Sequence, residues 1–342
     1  MNDRIKWGVV GLVAAIGLGS TAVVGVLAWQ QHDQDRSAPS AADTVLAVGT
    51  GPADRVVFRN TAEGTGYGHV ASVDLAAPAG QRAVDDLICD RVDAALDTVS
   101  CLRNERGIVP SYSATVYTAA GEQLAQWPLP GIPSRTRVSP DGAFVATTSF
   151  VTGHSYATVG FSTETVIRSA DGESLGDLEE WTLIVAGEPS LPLDRNFWGV
   201  TFADDKTFYA TVGLASSGRT YLVRGDISTR TLTTLAENVE CPSLSPDGTR
   251  IAFKRVTSAA GAPVHWTPAV YDLATGAVTL LAESRGIDDQ IEWLDDDTVL
   301  YALPRTDGIG DSDVWRLAAD GSGAPELFIE HAWSPAVVRS TR

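Results

Sequence analysis

The sequence is poor in lysine, in cysteine and in any run of basic residues. Lysine occurs only at Lys6, Lys206 and Lys254 against 22 arginines, and the 342-residue chain carries a formal net charge of −18. That balance argues against nucleic acid or an anionic membrane surface as the main partner, because both need Lys and Arg gathered on one face. Only three cysteines are present, too widely spaced for the close pairs a zinc site uses. The five histidines, His32, His69, His154, His265 and His331, include no pair at metal-ligand spacing. Charge itself is missing from residues 7–29, "WGVVGLVAAIGLGSTAVVGVLAW". Such a run is close to the ~20 apolar residues that cross a bilayer, and Trp7 and Trp29 bracket it as interfacial residues do.

Arg4 and Lys6 precede this run, so residues 1–6 are expected in the cytoplasm and everything after Trp29 outside it. The competing reading is a cleaved signal peptide, which usually has a shorter apolar core. Residues 30–43, "QQHDQDRSAPSAAD", are polar and without periodicity, a flexible linker, and the folded domain is expected over 44–342.

What the chain has in abundance is one repeated turn. "RTRVSPDGAFVATTSF" and "VECPSLSPDGTRIAFKR" both set Ser-Pro-Asp-Gly between short apolar runs. Pro140 and Pro246 preset φ, Asp141 and Asp247 bond their own backbone, and Gly142 and Gly248 accept positive φ. Each copy is therefore a β-hairpin. Degenerate copies follow the same plan of apolar strand, acidic turn and apolar strand: "CDRVDAALDTVSCL", "VTFADDKTFYATV", "IEWLDDDTVLYAL" and a truncated "HAWSPAVV". Their spacing of about 43 to 62 residues suits propeller blades of four strands. Blades are expected at 89–130, 135–192, 197–238, 239–284 and 287–330. A sixth, split blade remains: "HAWSPAVV" has no blade after it, and "DRVVFRN" at 54–60 opens a blade that lacks its innermost strand. Joining them closes a ring and removes exposed sheet edges. The fold class is thus all-β, a six-bladed propeller closed by its C-terminal strand and preceded by one transmembrane helix.

The strings "VTGHSYATVGFSTETV", "NFWGVTFADDKTFYATV", "VECPSLSPDGTRIAFK", "DDQIEWLDDDTVLYALP" and "DVWRLAADGSGAPELF" together resemble the actinobacterial TolB-like β-propeller proteins. The resemblance covers nearly all of residues 50–340. It implies a six-bladed propeller outside the cytoplasmic membrane with an N-terminal signal or anchor, and it implies no activity and no functional residues.

Cys89 and Cys101 flank a hairpin centred near Ala95, where they would lie on paired strands, and an exported domain can oxidise them to a disulfide. Two free buried thiols are the alternative. Cys241 is left over and reads as a buried strand residue. "GHSYA" at 153–157 has the outline of a nucleophile elbow around Ser155, but no helix follows, so it reads as a loop. Asp288 with Asp289, Asp295 to Asp297, and Asp307, Asp311 and Asp313 form acidic clusters of the kind Ca²⁺ uses. Turn chemistry explains most of them.

No catalytic constellation stands out, and no cofactor is called for. The expectation is a monomeric, non-catalytic propeller that binds a protein, peptide or glycan at the cell envelope. A metal-dependent propeller hydrolase or lactonase is the alternative. Long insertions usually carry recognition, and the longest lies at 151–196. Tyr156, Phe161 and Trp181 there, with Trp198 just beyond, are the candidate binding surface.

Overall fold

The computed structural model describes residues 23–31, 33–34, 37–46, 54–107, 109–151 and 162–340. Short strands dominate, as expected of apolar runs of a few residues separated by Gly- and Asp-bearing turns. The first sheet holds β1 (Thr44–Leu46), β2 (Arg55–Asn60), β3 (His69–Asp74) and β4 (Arg82–Ile88). The second holds β5 (Arg91–Ala95), β6 (Thr98–Glu105), β7 (Ser111–Thr118) and β8 (Gln123–Pro128). The third holds β9 (Ile132–Val138), β10 (Phe144–Val151), β11 (Ser162–Ser169) and β12 (Ser174–Asp177). The fourth is larger: β13 (Thr182–Val185), β14 (Glu188–Ser190), β15 (Arg195–Phe202), β16 (Thr207–Leu214), β17 (Arg219–Asp226) and β18 (Thr231–Glu237). The fifth comprises β19 (Glu240–Leu244), β20 (Arg250–Val256), β21 (Trp266–Asp272) and β22 (Val278–Leu280), and the sixth β23 (Glu292–Asp295), β24 (Thr298–Pro304), β25 (Ser312–Ala318) and β26 (Glu326–Ile329). The last strand, β27 (Ala332–Val338), returns to the first sheet.

Side-chain alternation turns these six sheets into a ring. Successive residues of a strand face opposite sides, so each sheet offers apolar side chains to both neighbours. On β2, Val56 and Phe58 join a buried cluster with Leu300, Val314 and Ile329 of the sixth sheet, whereas Val57 joins one with Val92, Val99 and Cys101 of the second. Four further clusters join the second sheet to the third, the third to the fourth, the fourth to the fifth and the fifth to the sixth. The circuit is complete, and the fold is a six-bladed β-propeller.

Closure is made by the two ends of the chain. β27 pairs antiparallel with β2, from Arg55 opposite Val338 to Asn60 opposite Ala332. The C-terminal segment thus supplies the innermost strand of the split blade. β1 covers the outer edge of that blade by pairing parallel with β4.

The long insertion departs from expectation. The sequence predicts an irregular recognition loop over 151–196. Instead Ser174–Asp177 completes the third blade, and the hairpin β13–β14 crosses to the next blade, where β13 pairs parallel with β18. Trp181, at the crossing, is 2% exposed and packs edge-on against Phe208 at 5.7 Å between ring centroids. Burial removes it from any binding surface. Residues 152–161, with His154, Ser155, Tyr156 and Phe161, lie outside the described residues, as do residues 1–22 and His32. Among the described residues no helix is long and apolar enough to cross a membrane, and most of the 7–29 run is not among them.

Cys89 and Cys101 form a disulfide, with Cα atoms 5.4 Å apart, and Cys241 is a buried free thiol. Its placement differs in detail from a simple hairpin bridge. The turn falls at Leu96 and Asp97, so Cys101 lies opposite Val92, and Cys89 sits in the crossover from β4, its N–H donating to Gly68 O. The bond therefore fastens the crossover of the split blade to β6 of the next. Reduction is expected to cost about 2–3 kcal/mol in urea unfolding. A336D puts a carboxylate among Val57, Val92 and Val338, where residue 336 is fully buried. It should cost about 3 kcal/mol or more, and an unchanged midpoint would contradict the closure described.

Candidate functional site at the channel mouth

Six innermost strands, β27, β5, β9, β15, β19 and β23, surround the propeller axis. The C-terminal ends of β5, β9, β15, β19 and β23 enter the acidic turns, including both Ser-Pro-Asp-Gly turns, and there, with the end of β27, they enclose a cavity of about 550 Å³. All six contribute to its wall: Asp93, Arg137, Thr201, Ser243, Glu292 and Val337 are one residue from each. The Asp141 and Asp247 carboxylates hold their turns by accepting from Ala143 N–H at 3.1 Å and Thr249 N–H at 3.0 Å.

The floor of the cavity is a guanidinium held between two carboxylates. Arg137 Nη1 reaches Asp93 Oδ1 at 3.3 Å and makes a short bond to Glu292 Oε2. β9 and β23 lie in blades diametrically opposed across the ring, so this pair spans the channel. Backbone donors complete it: Val138 N–H gives to Asp93 Oδ2 at 2.6 Å, and Val337 N–H to Glu292 Oε1 at 3.3 Å. Burial pushes the Asp93 carboxyl up to about 7, with Glu292 adding to the rise and Arg137 opposing it. Burial also works against the charge of Arg137, but Asp93 and Glu292 outweigh it and hold that guanidinium above its ordinary range.

A second layer lies deeper, toward the N-terminal ends of the inner strands. Arg91 pairs with Asp289 at 2.8 Å and stacks over Trp333. Lys254 pairs with Asp288 at 2.7 Å over the Trp266 ring. Arg135 Nη2 donates to Asp288 O at 3.0 Å, again across the ring. Burial, with the neighbouring Arg135, lowers Arg91 to about 10, and Asp289 resists the shift. The channel is thus filled with cross-linked charge rather than with apolar side chains.

The other candidates resolve into structural roles. Asp307, Asp311 and Asp313 surround the Arg305 guanidinium at 3.3, 3.5 and 3.0 Å, so a side-chain cation occupies that cluster. Asp295 and Asp296 bond turn backbone, accepting from Asp297 N–H and Asp247 N–H. His69 Nδ1 meets Asp85 O and His331 Nδ1 meets Asp311, while the backbone N–H of His265 donates to Ser258 Oγ. Among the described residues no three His, Cys, Asp or Glu side chains are grouped to hold a metal ion. Trp198 is half-buried on β15. The channel charges escaped the sequence reading, although a signal was there. "DRVDAAL", "SRTRVSP" and "DDQIEWL" place polar or charged residues two apart on inner strands, at Arg91 and Asp93, Arg135 and Arg137, and Gln290 and Glu292.

No protein-family model matches the chain, and no curated protein matches it. Solved structures with a similar course include one assigned as TolB from Agrobacterium tumefaciens, at 14% identity and a TM-score of 0.48, covering 82% of this chain and 91% of that one. A puromycin-hydrolyzing peptidase of Mycobacterium tuberculosis is similar at 13% identity and a TM-score of 0.49, over 86% of this chain and 47% of that one. An oligogalacturonate lyase in complex with manganese is similar at 13% identity and a TM-score of 0.45, over 73% of this chain and 71% of that one. The propeller assignment rests on the strand topology itself.

Two measurements probe the charge layer. Because Asp93 binds its proton more tightly folded than unfolded, the stability it adds is fully present below its unfolded value and is lost as pH rises toward about 7. D93N should flatten that decline between pH ~4 and ~7 in denaturant midpoints, and an unchanged slope would contradict the assignment. R137M removes the cation between the buried Asp93 and the half-buried Glu292 and should cost about 3–5 kcal/mol in denaturant unfolding.

Proposed function

We propose that this protein is a non-catalytic binding module of the cell envelope, carried on the cytoplasmic membrane by residues 7–29 with its propeller on the extracytoplasmic side. Its ligand is a protein, peptide or glycan segment that enters the channel mouth. The observation that carries this reading is the cavity of about 550 Å³ walled by all six inner strands. That volume falls within the ~300–1,000 Å³ usual for ligand sites. Its floor carboxylates, Asp93 and Glu292, are committed to Arg137, which suits a rigid, pre-organised receptor. The rim sets Asp247 and Asp296 against one cation, Arg339, among the lining residues, and that acidic excess favours a ligand that carries positive charge.

Filling the cavity separates this reading from its rivals. Ala203 lines the cavity and is half-buried. A203W in the full-length protein should abolish capture of envelope partners while leaving the melting temperature near that of the wild type. Equal capture by A203W would remove the cavity from the binding site. Chelator-sensitive hydrolysis of esters or lactones by the wild type would replace the binding module with an enzyme.

A further inference from the structure

A propeller on a short tether can present only some of its surface outward, and the way this chain leaves the fold determines which part. The tether is fastened before the first strand. Ala41 N–H donates to Glu63 O at 2.9 Å, Thr65 N–H donates to Ala38 O at 2.8 Å, and the Thr65 hydroxyl donates to the same carbonyl at 2.9 Å. Gly64 lies so close that a Cβ there would meet Pro39 O at 2.5 Å and Ala38 O at 2.6 Å. These contacts are all to loop 61–68, between β2 and β3. By the alternation of strand directions, that loop lies at the opposite end of the blade from the Ser-Pro-Asp-Gly turns.

Loop 305–311, between β24 and β25, stands beside it. The Tyr67 hydroxyl donates to Gly310 O at 3.0 Å, and Thr61 Oγ1 donates to Asp311 Oδ1 at 2.7 Å. At its tip Ile309 is fully exposed, at 106%. Val264, in the equivalent loop between β20 and β21, is 55% exposed, and Val109, between β6 and β7, is 81% exposed. Exposed aliphatics stand at three loop tips of this end, with the exposed Asp307 two residues from Ile309, whereas the turns of the other end carry Asp97, Asp141, Asp171, Asp247, Asp296 and Asp320 and, beside Asp97, the exposed Leu96.

Distance completes the argument. Residues 30–37 separate Trp29 from the fastened Ala38. Eight residues reach at most about 30 Å when extended, and about 12 Å when helical, as residues 30–31, 33–34 and 37 are. Seven-residue strands alone make a blade about 23 Å deep. A turn on the far side can meet the bilayer only if the tether doubles back over the blade.

We infer that the end of the propeller bearing loops 61–68 and 305–311 lies against the lipid headgroups of the membrane that holds residues 7–29, with Ile309, Val264 and Val109 touching the interface and the acidic mouth opening away from it. This rests on the membrane anchoring proposed above. The tether, not charge attraction, holds the surface in place, which agrees with a net charge of −18. The lipid can therefore be zwitterionic.

The test uses full-length I309C and D320C proteins, each labelled with a maleimide fluorophore and reconstituted into phosphatidylcholine vesicles containing headgroup-nitroxide lipid. The wild type is the labelling control, because Cys241 is buried and the other two cysteines are bonded. Flotation is measured on the same samples. Co-flotation with fluorescence at position 309 quenched several-fold more than at 320 supports the proposal. Co-flotation with equal quenching, or stronger quenching at 320, overturns the orientation and leaves the anchor standing. Failure to float overturns the anchor and the orientation together.

Discussion

Every blade of this molecule has two apolar faces and must cover both. Val56 and Phe58 point one way from β2 and Val57 points the other, and the same alternation recurs around the ring. No blade can therefore be satisfied by a single neighbour, and the set is satisfied only when it closes. At ~25 cal/mol per Å² of apolar surface removed from water, an open ring would forfeit a whole joint's worth of burial. The pairing of β27 with β2 is the step on which the other joints depend. It buries Ala332 and Ala336 completely and places Val338 against Val92.

Closure also creates the channel, and the channel imposes its own chemistry. Strands that converge on an axis leave a space too narrow for bulky apolar side chains from all six and too wide to stay empty. Here it is filled by long arginines that reach across it. Arg137 and Arg135 extend from β9 to Glu292 and to Asp288 O in the opposed blade, acting as spokes in addition to the rim of interblade packing. Buried ion pairs add little net stability compared with apolar packing, but breaking one is costly. Such spokes therefore fix blade positions more than they raise stability. The mouth above them keeps its shape because its floor does.

Much of this was legible in the chain. Ser-Pro-Asp-Gly announces a tight turn because its stereochemistry is local, and "HAWSPAVV" reads as an orphan strand because it repeats only the first part of the strand–turn–strand plan. The disulfide was likewise visible, since Cys89 and Cys101 bracket one hairpin. What the sequence hid was non-local. Arg137 and Glu292 are 155 positions apart, and nothing but the completed ring brings them together. Trp181 read as an exposed aromatic because β13, four residues long, finds its parallel partner β18 some fifty positions later. Its neighbours Gly187 and Pro189 look like loop residues until that pairing is known. An aromatic in an insertion carries no mark of whether it faces solvent or core.

The disulfide has a consequence for the order in which the molecule is made. The last inner strand is at the C-terminus, so the split blade waits with β2 as an open edge until residues 332–338 have been synthesised. Such edges invite wrong partners. Pairings this distant in sequence form slowly. Cys89 and Cys101, 12 residues apart, can meet long before that. Their bond fixes the crossover out of β4 against β6, so the unfinished blade already has its neighbour clamped on one side. In the finished ring that clamp stands beside the place β27 takes against β2, so the covalent bond and the closing strand brace the same blade.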